Sequence, residues 1–463
     1  MSTPPSTGSP LEAEAVPERP YELVVLGANG LTGRLAVRHL TALDRAAAEN
    51  PGEPAVRWAA AGRNLARVRD ALKAEGAEAP VLKVDIEDEA SLDTLAQATA
   101  VVLSFAGPYT ATAERVVAAC VRNGTSYVDI SGELPLLRRI IERFDGPART
   151  AGVAVVQMAG WEALPADVTT LLASRAAVAA QSQPGAAAEQ PGYDGPGAAG
   201  PVVEVEVTFS YDRVPAGVSL RNAISAGTLG SIVEILRDPG AGVVGDPGGL
   251  LIDAGQQERV RRASPVTLRP RLRAGRVLGP VTPVAFLNPP VIHRTACLLA
   301  TQAGAEYLPA RYREGTDQGP LRRLVAAAAV VFAGALAGMQ WVVVRLARSP
   351  RGVRQILLSR AASMLPPSGT GPEGELLSDW AWTVQAHART RSGSAGRAKI
   401  SGTGHPGYTA TAVMAGQLAL LISRTPPARR RAGCLTPALA VGADGITGLN
   451  GPALTVETLP EDR

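Results

Sequence analysis

The chain has 463 residues, 46% of them hydrophobic, so it is too long for one ordinary domain and can form roughly two or three cores. Its net charge of +4 is small for this length and predicts no nucleic-acid partner. Three widely separated cysteines and four histidines without zinc-binding spacing argue against a disulfide framework and a metal site, and favour a cytoplasmic protein.

Strands and helices are predicted to alternate over residues 21–160, after a tail at 1–20 that we expect to be disordered. This order predicts an α/β protein whose N-terminal domain is a Rossmann-type, doubly wound parallel sheet. Ser91 is the expected N-cap of the third helix. The predicted strands cover 21–26, 56–61, 81–84, 100–104, 127–130 and 153–157, and the predicted helices cover 32–43, 65–73, 91–96, 112–122 and 136–144.

The pattern changes after residue 160, and we expect a second, α+β domain over 161–415 that binds substrate and is available for dimerisation. A Gly, Pro, Ala and Gln tract at 181–201 predicts a flexible loop. Alternating apolar and polar residues at 203–209, and more weakly at 380–384, indicate antiparallel strands with one covered face. The last segment, 416–463, is expected to pack back on the Rossmann domain.

Residues 325–344 contain no formal charge and are numerous enough to span a bilayer. They lie between segments that look like parts of one globular domain. We therefore predict a buried or interfacial helix rather than a membrane span, and leave peripheral membrane contact open.

A glycine-rich turn follows the first predicted strand and precedes the first helix. Its sequence is Gly27-Ala28-Asn29-Gly30-Leu31-Thr32-Gly33. Glycines allow a tight turn and close approach of the backbone to a pyrophosphate, and the following helix N-terminus offers unpaired N–H groups. Dinucleotide binding is therefore predicted. The expected contacts come from Gly27, Asn29, Gly30, Leu31, Thr32 and Gly33.

Residues at later strand ends predict which dinucleotide binds. Arg63 follows the second strand, where an acidic residue would favour NAD; a guanidinium favours the 2′-phosphate of NADP. Asp85, after the third strand, is a candidate for an adenine contact or equally for a helix cap. After the fourth strand, the backbone of Ala106, Gly107 and Pro108 is expected near the ribose or nicotinamide.

Polar residues after the fourth and fifth strands are candidates for the substrate site. Tyr109 is suited to bind substrate or donate a proton, or else only packs after a proline turn. Asp129 and Glu133 flank Ser131-Gly132, as site residues or as loop caps.

Short motifs in both halves of the chain carry a family resemblance. They are the turn above, Trp58-Ala59-Ala60-Ala61-Gly62-Arg63-Asn64, Phe105-Ala106-Gly107-Pro108-Tyr109, Tyr127-Val128-Asp129-Ile130-Ser131-Gly132-Glu133, Ser225-Ala226-Gly227-Thr228-Leu229, Gly371-Pro372-Glu373, His405-Pro406-Gly407-Tyr408 with Thr411-Ala412, and Leu435-Thr436-Pro437-Ala438. In this order they resemble the saccharopine dehydrogenase-like oxidoreductases, particularly the actinobacterial trans-acting enoyl reductases.

Two departures from the family pattern concern the substrate side. The usual Gly-Phe-Asp-Ser-x-Pro-x-Asp is Gly160-Trp161-Glu162-Ala163-Leu164-Pro165-Ala166-Asp167 here, and the usual Asp before Pro-Gly-Tyr is His405. The resemblance therefore implies the fold and a reductase better than it implies a substrate.

The resemblance implies NADPH-dependent reduction of an enoyl or related unsaturated bond. The candidate proton donors are Tyr109, Glu133 and Glu162. The apolar segment 325–344 favours a lipophilic polyketide, lipid or terpenoid-like substrate. Two alternatives stay open: a redox-neutral isomerase or cyclase that retains NADP, and a non-catalytic NADP-binding regulator.

Overall fold

The computed structural model describes residues 19–460 except 51, 53, 182–201, 217–225, 282–284, 307, 321–323, 362–373, 443 and 444. Most of the expected tail and of the expected loop 181–201 lie outside the described residues, as do Ser225 and the motif at 371–373. One boundary of the predicted tail and one of the predicted loop need correction. Gln181 is the last residue of a helix, and the Arg19 guanidinium bonds the carbonyls of Ala96 and Asn123 at 3.1 and 2.7 Å.

The first sheet has seven strands, and all of its pairings are parallel. Its strands are β1 (Tyr21–Leu26), β2 (Trp58–Gly62), β3 (Val81–Lys83), β4 (Thr99–Ser104), β5 (Ser126–Asp129), β6 (Ala154–Val156) and β13 (Gly433–Leu435). Their spatial order is β3-β2-β1-β4-β5-β6-β13. The order reverses between β1 and β4, which is the position where doubly wound sheets bind ligands. The predicted Rossmann-type sheet is confirmed.

Five helices connect these strands, as predicted. They are α1 (Leu31–Glu49), α2 (Leu65–Ala74), α3 (Glu89–Gln97), α4 (Tyr109–Arg122) and α5 (Leu134–Thr150). The expected cap of α3 was wrong. Asp88 caps this helix by accepting the N–H of Ala90 at 3.1 Å, because its side chain precedes the first turn. Ser91 lies inside the helix and accepts the N–H of Asp85 at 3.0 Å.

The rest of the chain builds a second seven-stranded sheet and further helices. The strands are β7 (Val202–Arg213), β8 (Arg271–Arg273), β9 (Arg276–Gly279), β10 (Arg311–Pro320), β11 (Ala381–Thr390), β12 (Ala395–Thr403) and β14 (Leu454–Leu459). The helices are α6 (Leu164–Gln181), α7 (Ala226–Arg237), α8 (Ala254–Ala263), α9 (Asn288–Gln302), α10 (Leu324–Ala347), α11 (Arg351–Ala361), α12 (Glu375–Ser378), α13 (Thr411–Arg424) and α14 (Pro437–Val441).

The second sheet is mixed, with the order β14-β12-β11-β7-β10-β9-β8. The predicted strands β7 and β11 pair antiparallel, as expected. β7 and β10 pair parallel, which the sequence did not indicate. This sheet completes the α/β plus α+β architecture.

The C-terminal segment contributes to both sheets. β13 pairs with β6 in the first sheet, whereas β14 pairs with β12 in the second. The segment 416–463, which we expected to pack back on the Rossmann domain, thus also pairs with the second sheet through β14. The reason is that β14 has the alternating burial of a strand with one covered face, and the edge next to β12 supplies its partner.

One hydrophobic core connects the two sheets through α6 and α13. It includes Leu23 and Val101 of the first sheet and Val207 and Trp382 of the second. Asp167, near the start of α6, is fully buried there. Its carboxylate accepts the Thr295 hydroxyl at 2.6 Å and the Ala438 N–H at 2.8 Å, so it joins α6 to α9 and α14.

Candidate functional site

The glycine-rich turn lies between β1 and α1, beside the switch point of the first sheet. Gly27 has a φ of +83°, in the left-handed region that favours glycine. A Cβ on Gly27 would lie 2.9 Å from the Ala106 nitrogen, and a Cβ on Gly33 would lie 2.2 Å from the Gly27 carbonyl oxygen. Both glycines are therefore required by the close packing of the turn itself.

The N-terminus of α1 is open toward this edge. Gly30 is its N-cap and is exposed, and in the described part of the chain no side chain caps the first N–H groups. Leu31 and Thr32 form the first helical residues and are partly buried. Asn29 lies next to the end of β2, with its Oδ1 3.6 Å from the position of a Cβ on Gly62. Uncapped N–H groups beside a small-residue turn fit a pyrophosphate.

Arg63 is exposed directly after β2. The neighbouring Asn64 caps α2 by accepting the Arg67 N–H at 3.1 Å. Arg34, in the first turn of α1, is paired with Glu75 at 3.1 Å. In the described part of the chain no carboxylate is paired with Arg63, so its guanidinium is available to a 2′-phosphate.

Asp85 and the turn 106–108 occupy the ends of β3 and β4. The Asp85 carboxylate accepts the Glu87 N–H at 3.1 Å, so it caps its own turn. An adenine contact by Asp85 stays a prediction. Ala106 approaches Gly27, and the exposed Gly107 and Pro108 precede α4. This turn and the glycine-rich turn lie side by side.

The candidate acid residues converge after β5 and β6. The negative charges of Asp129, Glu133 and Glu162 all raise the pKa of the Tyr109 hydroxyl, although burial is the main cause of its increase. Glu162 approaches the same loop, with its Cγ 3.8 Å from the position of a Cβ on Gly132. The structure thus brings together all three candidate proton donors.

Asp129 and Glu133 are fully engaged in hydrogen bonds. Asp129 accepts the Tyr127 hydroxyl at 2.8 Å and the Ser131 N–H and hydroxyl at 3.0 and 2.7 Å. Glu133 accepts the Gly132 N–H at 3.0 Å and the Ser231 hydroxyl at 2.7 Å. Ser231, on α7, was missed by sequence reasoning, because nothing in the sequence places it beside β5. Both carboxylates therefore stabilise the loop after β5 through hydrogen bonds.

Glu162 differs from them. Its Oε2 is buried and has no hydrogen-bond partner within the described ranges. Burial, reinforced by the charges of Glu133 and Asp129, raises the pKa of Glu162 to about 7. A carboxylic acid with this pKa is partly protonated at neutral pH and can donate its proton. Tyr109 instead donates its hydroxyl proton to the Ser104 carbonyl at 3.1 Å.

Aromatic side chains form one boundary of this region. Trp161 packs against Phe209 of β7 and Trp382 of β11, with ring centroids 5.6 and 4.7 Å apart. Its backbone N–H donates to Thr411 at 3.0 Å. His405 packs between Trp380 and Tyr408, at 4.9 and 5.0 Å. The two departures from the family pattern thus both contribute to aromatic packing.

Comparison with known proteins supports the NADP site. Residues 23–156 match the family model of the saccharopine dehydrogenase NADP-binding domain. Trans-acting enoyl reductases of Mycobacterium bovis and Mycobacterium tuberculosis are 28% identical over 459 residues, covering 95% of this chain and 98% of theirs. The chain is an oxidoreductase with a saccharopine dehydrogenase NADP-binding domain.

Two other proteins show more limited similarity to this oxidoreductase. A saccharopine dehydrogenase-like oxidoreductase of Rattus norvegicus is 32% identical over 166 residues, or 34% of this chain and 38% of that protein. The apo structure of an L-Glu-forming saccharopine dehydrogenase from Saccharomyces cerevisiae covers 95% of this chain and 100% of its own, at 15% identity and a TM-score of 0.44.

Arg63→Ala in this NADP-binding oxidoreductase is expected to weaken NADP binding and to leave NAD binding almost unchanged. A charge-assisted bidentate contact contributes about 1.5–3 kcal/mol, equivalent to roughly tenfold to a hundredfold in affinity. Calorimetric titration of both cofactors at fixed ionic strength measures this difference. Arg67→Ala, which removes an exposed arginine in the first turn of α2, is the control. Equal losses for NADP and NAD would show that Arg63 supports only the fold.

Proposed function

We propose that the protein is an NADPH-dependent reductase of a carbon–carbon double bond conjugated to a carbonyl, in a lipophilic substrate. The observation that carries the proposal is the buried Oε2 of Glu162, an acid with a pKa near 7 in the loop after β6. The names of the mycobacterial relatives favour the same reaction.

In such a reduction, different residues bind the cofactor and transfer the proton. The turn from Gly27 to Gly33 and the N-terminus of α1 would hold the pyrophosphate, and Arg63 the 2′-phosphate. NADPH, when bound, supplies a hydride to the β-carbon of the conjugated bond. Glu162 holds the proton that the α-carbon needs, and the resulting carboxylate recovers a proton from water. One hydride and one proton thus complete the saturated bond.

The apolar segment 325–344 favours a lipophilic substrate. Trp161, Phe209 and Trp382 pack beside the Glu162 loop but are buried in the core that joins the two sheets. Among the described residues, no group of three or more His, Cys, Asp and Glu residues could hold a metal ion. The three cysteines are free and buried, which supports a cytoplasmic location.

The proposed reaction is tested by mixing the protein with NADPH and a medium-chain 2-enoyl thioester. We expect the absorbance of NADPH to fall and the product to be heavier by two hydrogen atoms. A new product of unchanged mass would show isomerisation or cyclisation instead. Bound NADPH without any product, over a panel of enoyl, imine and polyene substrates, would indicate a regulator.

A further inference from the structure

Helix α10 has an exposed apolar face. By length and composition its segment Ala329–Ala347 could cross a membrane, yet only 17% of that segment is buried. Val331 is 72% exposed, and Trp341 is 59% exposed. Ala335, Gly338 and Val342 are also exposed and lie on the same side of the helix, since residues 331, 335, 338 and 342 have the spacing of one helical face. The predicted helix is confirmed. Of its two predicted environments, buried or interfacial, the buried one does not fit.

The opposite face of α10 is held by the protein. The Gln340 amide donates to the Val281 carbonyl at 2.9 Å and accepts the Ala285 N–H at 2.8 Å. Ala333 and Leu336 are buried on this side, where α10 packs against β9 and β10. A polar side chain with both ends bonded inside the fold fits a helix that lies along a surface, with one side on protein.

The next helix extends the exposed apolar surface. α11 exposes Val353 and Leu357, one turn apart. Buried Arg354 fixes the junction with α10, since its guanidinium donates to the carbonyls of Ala347 and Ser349 at 2.9 Å and to the Asp238 carbonyl at 3.1 Å. The face of α10 and α11 is therefore a fixed part of the structure.

The segment that forms this face carries charge of one sign. Residues 318–372 contain seven arginines and no Asp or Glu. Arg345, Arg348 and Arg351 are exposed at the end of α10 and the start of α11. Two copies of this face would bring like charges together, which disfavours a second copy as the occupant. Exposed apolar residues edged by arginines complement an anionic lipid surface.

We propose that the α10–α11 face binds peripherally to membranes that contain anionic lipid. The apolar side chains around Val331 and Trp341 enter the headgroup boundary, and the arginines pair with lipid phosphates. The proposal holds whichever reaction the enzyme catalyses. α10 also packs against α7, the helix whose Ser231 bonds Glu133, so the bound membrane lies one helix away from the carboxyl cluster.

Trp341 provides a direct measurement. The other four of the five tryptophans, Trp58, Trp161, Trp380 and Trp382, are buried, so acrylamide quenching of the full chain reports mainly on Trp341. The protein is mixed with vesicles of phosphatidylcholine alone, or with added phosphatidylglycerol, and sedimented. We expect sedimentation and protection of Trp341 with the anionic vesicles, weaker binding to the neutral ones, and release at high salt.

Variants separate the two contributions to binding. Arg345→Glu removes a cation and adds an anion, and should weaken binding to anionic vesicles roughly 30-fold. Val331→Glu should also release the protein from the vesicles. Arg69→Glu, the same charge change on an exposed residue of α2, should bind like the native protein. All three should oxidise NADPH with a water-soluble short enoyl thioester at the native rate, so loss of membrane binding is distinguishable from failure of the proposed reduction.

Several results would overturn the proposal. These are no sedimentation with anionic vesicles, equal binding to neutral and anionic vesicles, or equal binding by Arg345→Glu and the native protein. Concentration-dependent protection of Trp341 without vesicles, together with a dimer in analytical ultracentrifugation, would instead assign the face to a second copy.

Discussion

Glu162→Gln is expected to lower kcat for enoyl reduction by a factor of about 10²–10⁴, the usual contribution of a general acid. The substitution keeps the size of the side chain but removes the proton that Oε2 would deliver. Binding of NADPH should not change, because the nucleotide is held by the turn after β1. Stopped-flow measurement of NADPH oxidation under saturating cofactor, with calorimetric NADPH binding in parallel, tests both statements.

The pH dependence of kcat/KM gives an independent test of Glu162 as the proton donor. Glu162 acts in its protonated form, so kcat/KM should fall as pH rises through its raised pKa, near 7. Glu162→Gln should lose this limb. Glu78→Gln, on an exposed loop, should retain both rate and limb. If Glu162→Gln keeps the limb and either Tyr109→Phe or Glu133→Gln abolishes it, the proton donor is the residue whose substitution abolishes the limb.

Gly30→Glu is expected to abolish measurable NADPH binding while the protein stays folded. Gly30 has ordinary extended backbone angles, φ −75° and ψ 165°, and among the described residues a Cβ there would come within 4 Å only of the Gly27 carbonyl oxygen, at 3.4 Å. The free protein therefore accommodates the side chain. The pyrophosphate does not, because a carboxylate about 5 Å away repels each phosphate charge by about 3 kcal/mol at an effective dielectric constant of about 20.

Gly30→Gln separates charge from bulk in the same position. It should bind NADPH more weakly than the native protein but more strongly than Gly30→Glu. Circular dichroism and thermal melting establish that each variant is folded. Gly33→Ala is the opposite case, since its Cβ would lie 2.2 Å from a backbone oxygen, and it should lower the melting temperature. Native-like NADPH affinity in folded Gly30→Glu would move the nucleotide away from this turn.

The first sheet could be predicted from the sequence because each of its buried parallel strands is a short apolar run between helices. β1 was predicted over its whole observed length and β2 to β6 within two residues at each end, whereas β13 was not predicted. The second sheet was less accessible. β10 has few apolar residues (RYREGTDQGP), so its parallel pairing with β7 depends on the assembled fold. The pairing of β13 with β6 likewise joins segments that are distant in sequence.

The site was predictable where one segment determines it. The turn from Gly27 to Gly33 is such a segment, since its conformation follows from its glycines. The proximity of Tyr109, Glu133 and Glu162 depends on β4, β5 and β6 being neighbours. The choice of Glu162 as proton donor depends on which of their oxygen atoms already have hydrogen-bond partners. Hydropathy identified α10 as a helix but could not show which of its sides packs on β9.

The position of β13 has a consequence for the order in which the chain folds during synthesis. The ribosome synthesises β6 before the second sheet. It synthesises β13, which pairs with the edge of β6, only after all strands of the second sheet except β14. The nucleotide-binding half therefore cannot finish folding as an independent unit ahead of the rest, as N-terminal domains commonly do. Until residues 433–435 arrive, the nascent protein exposes the unpaired backbone of β6, an edge on which a chaperone or a neighbouring nascent chain can add a strand.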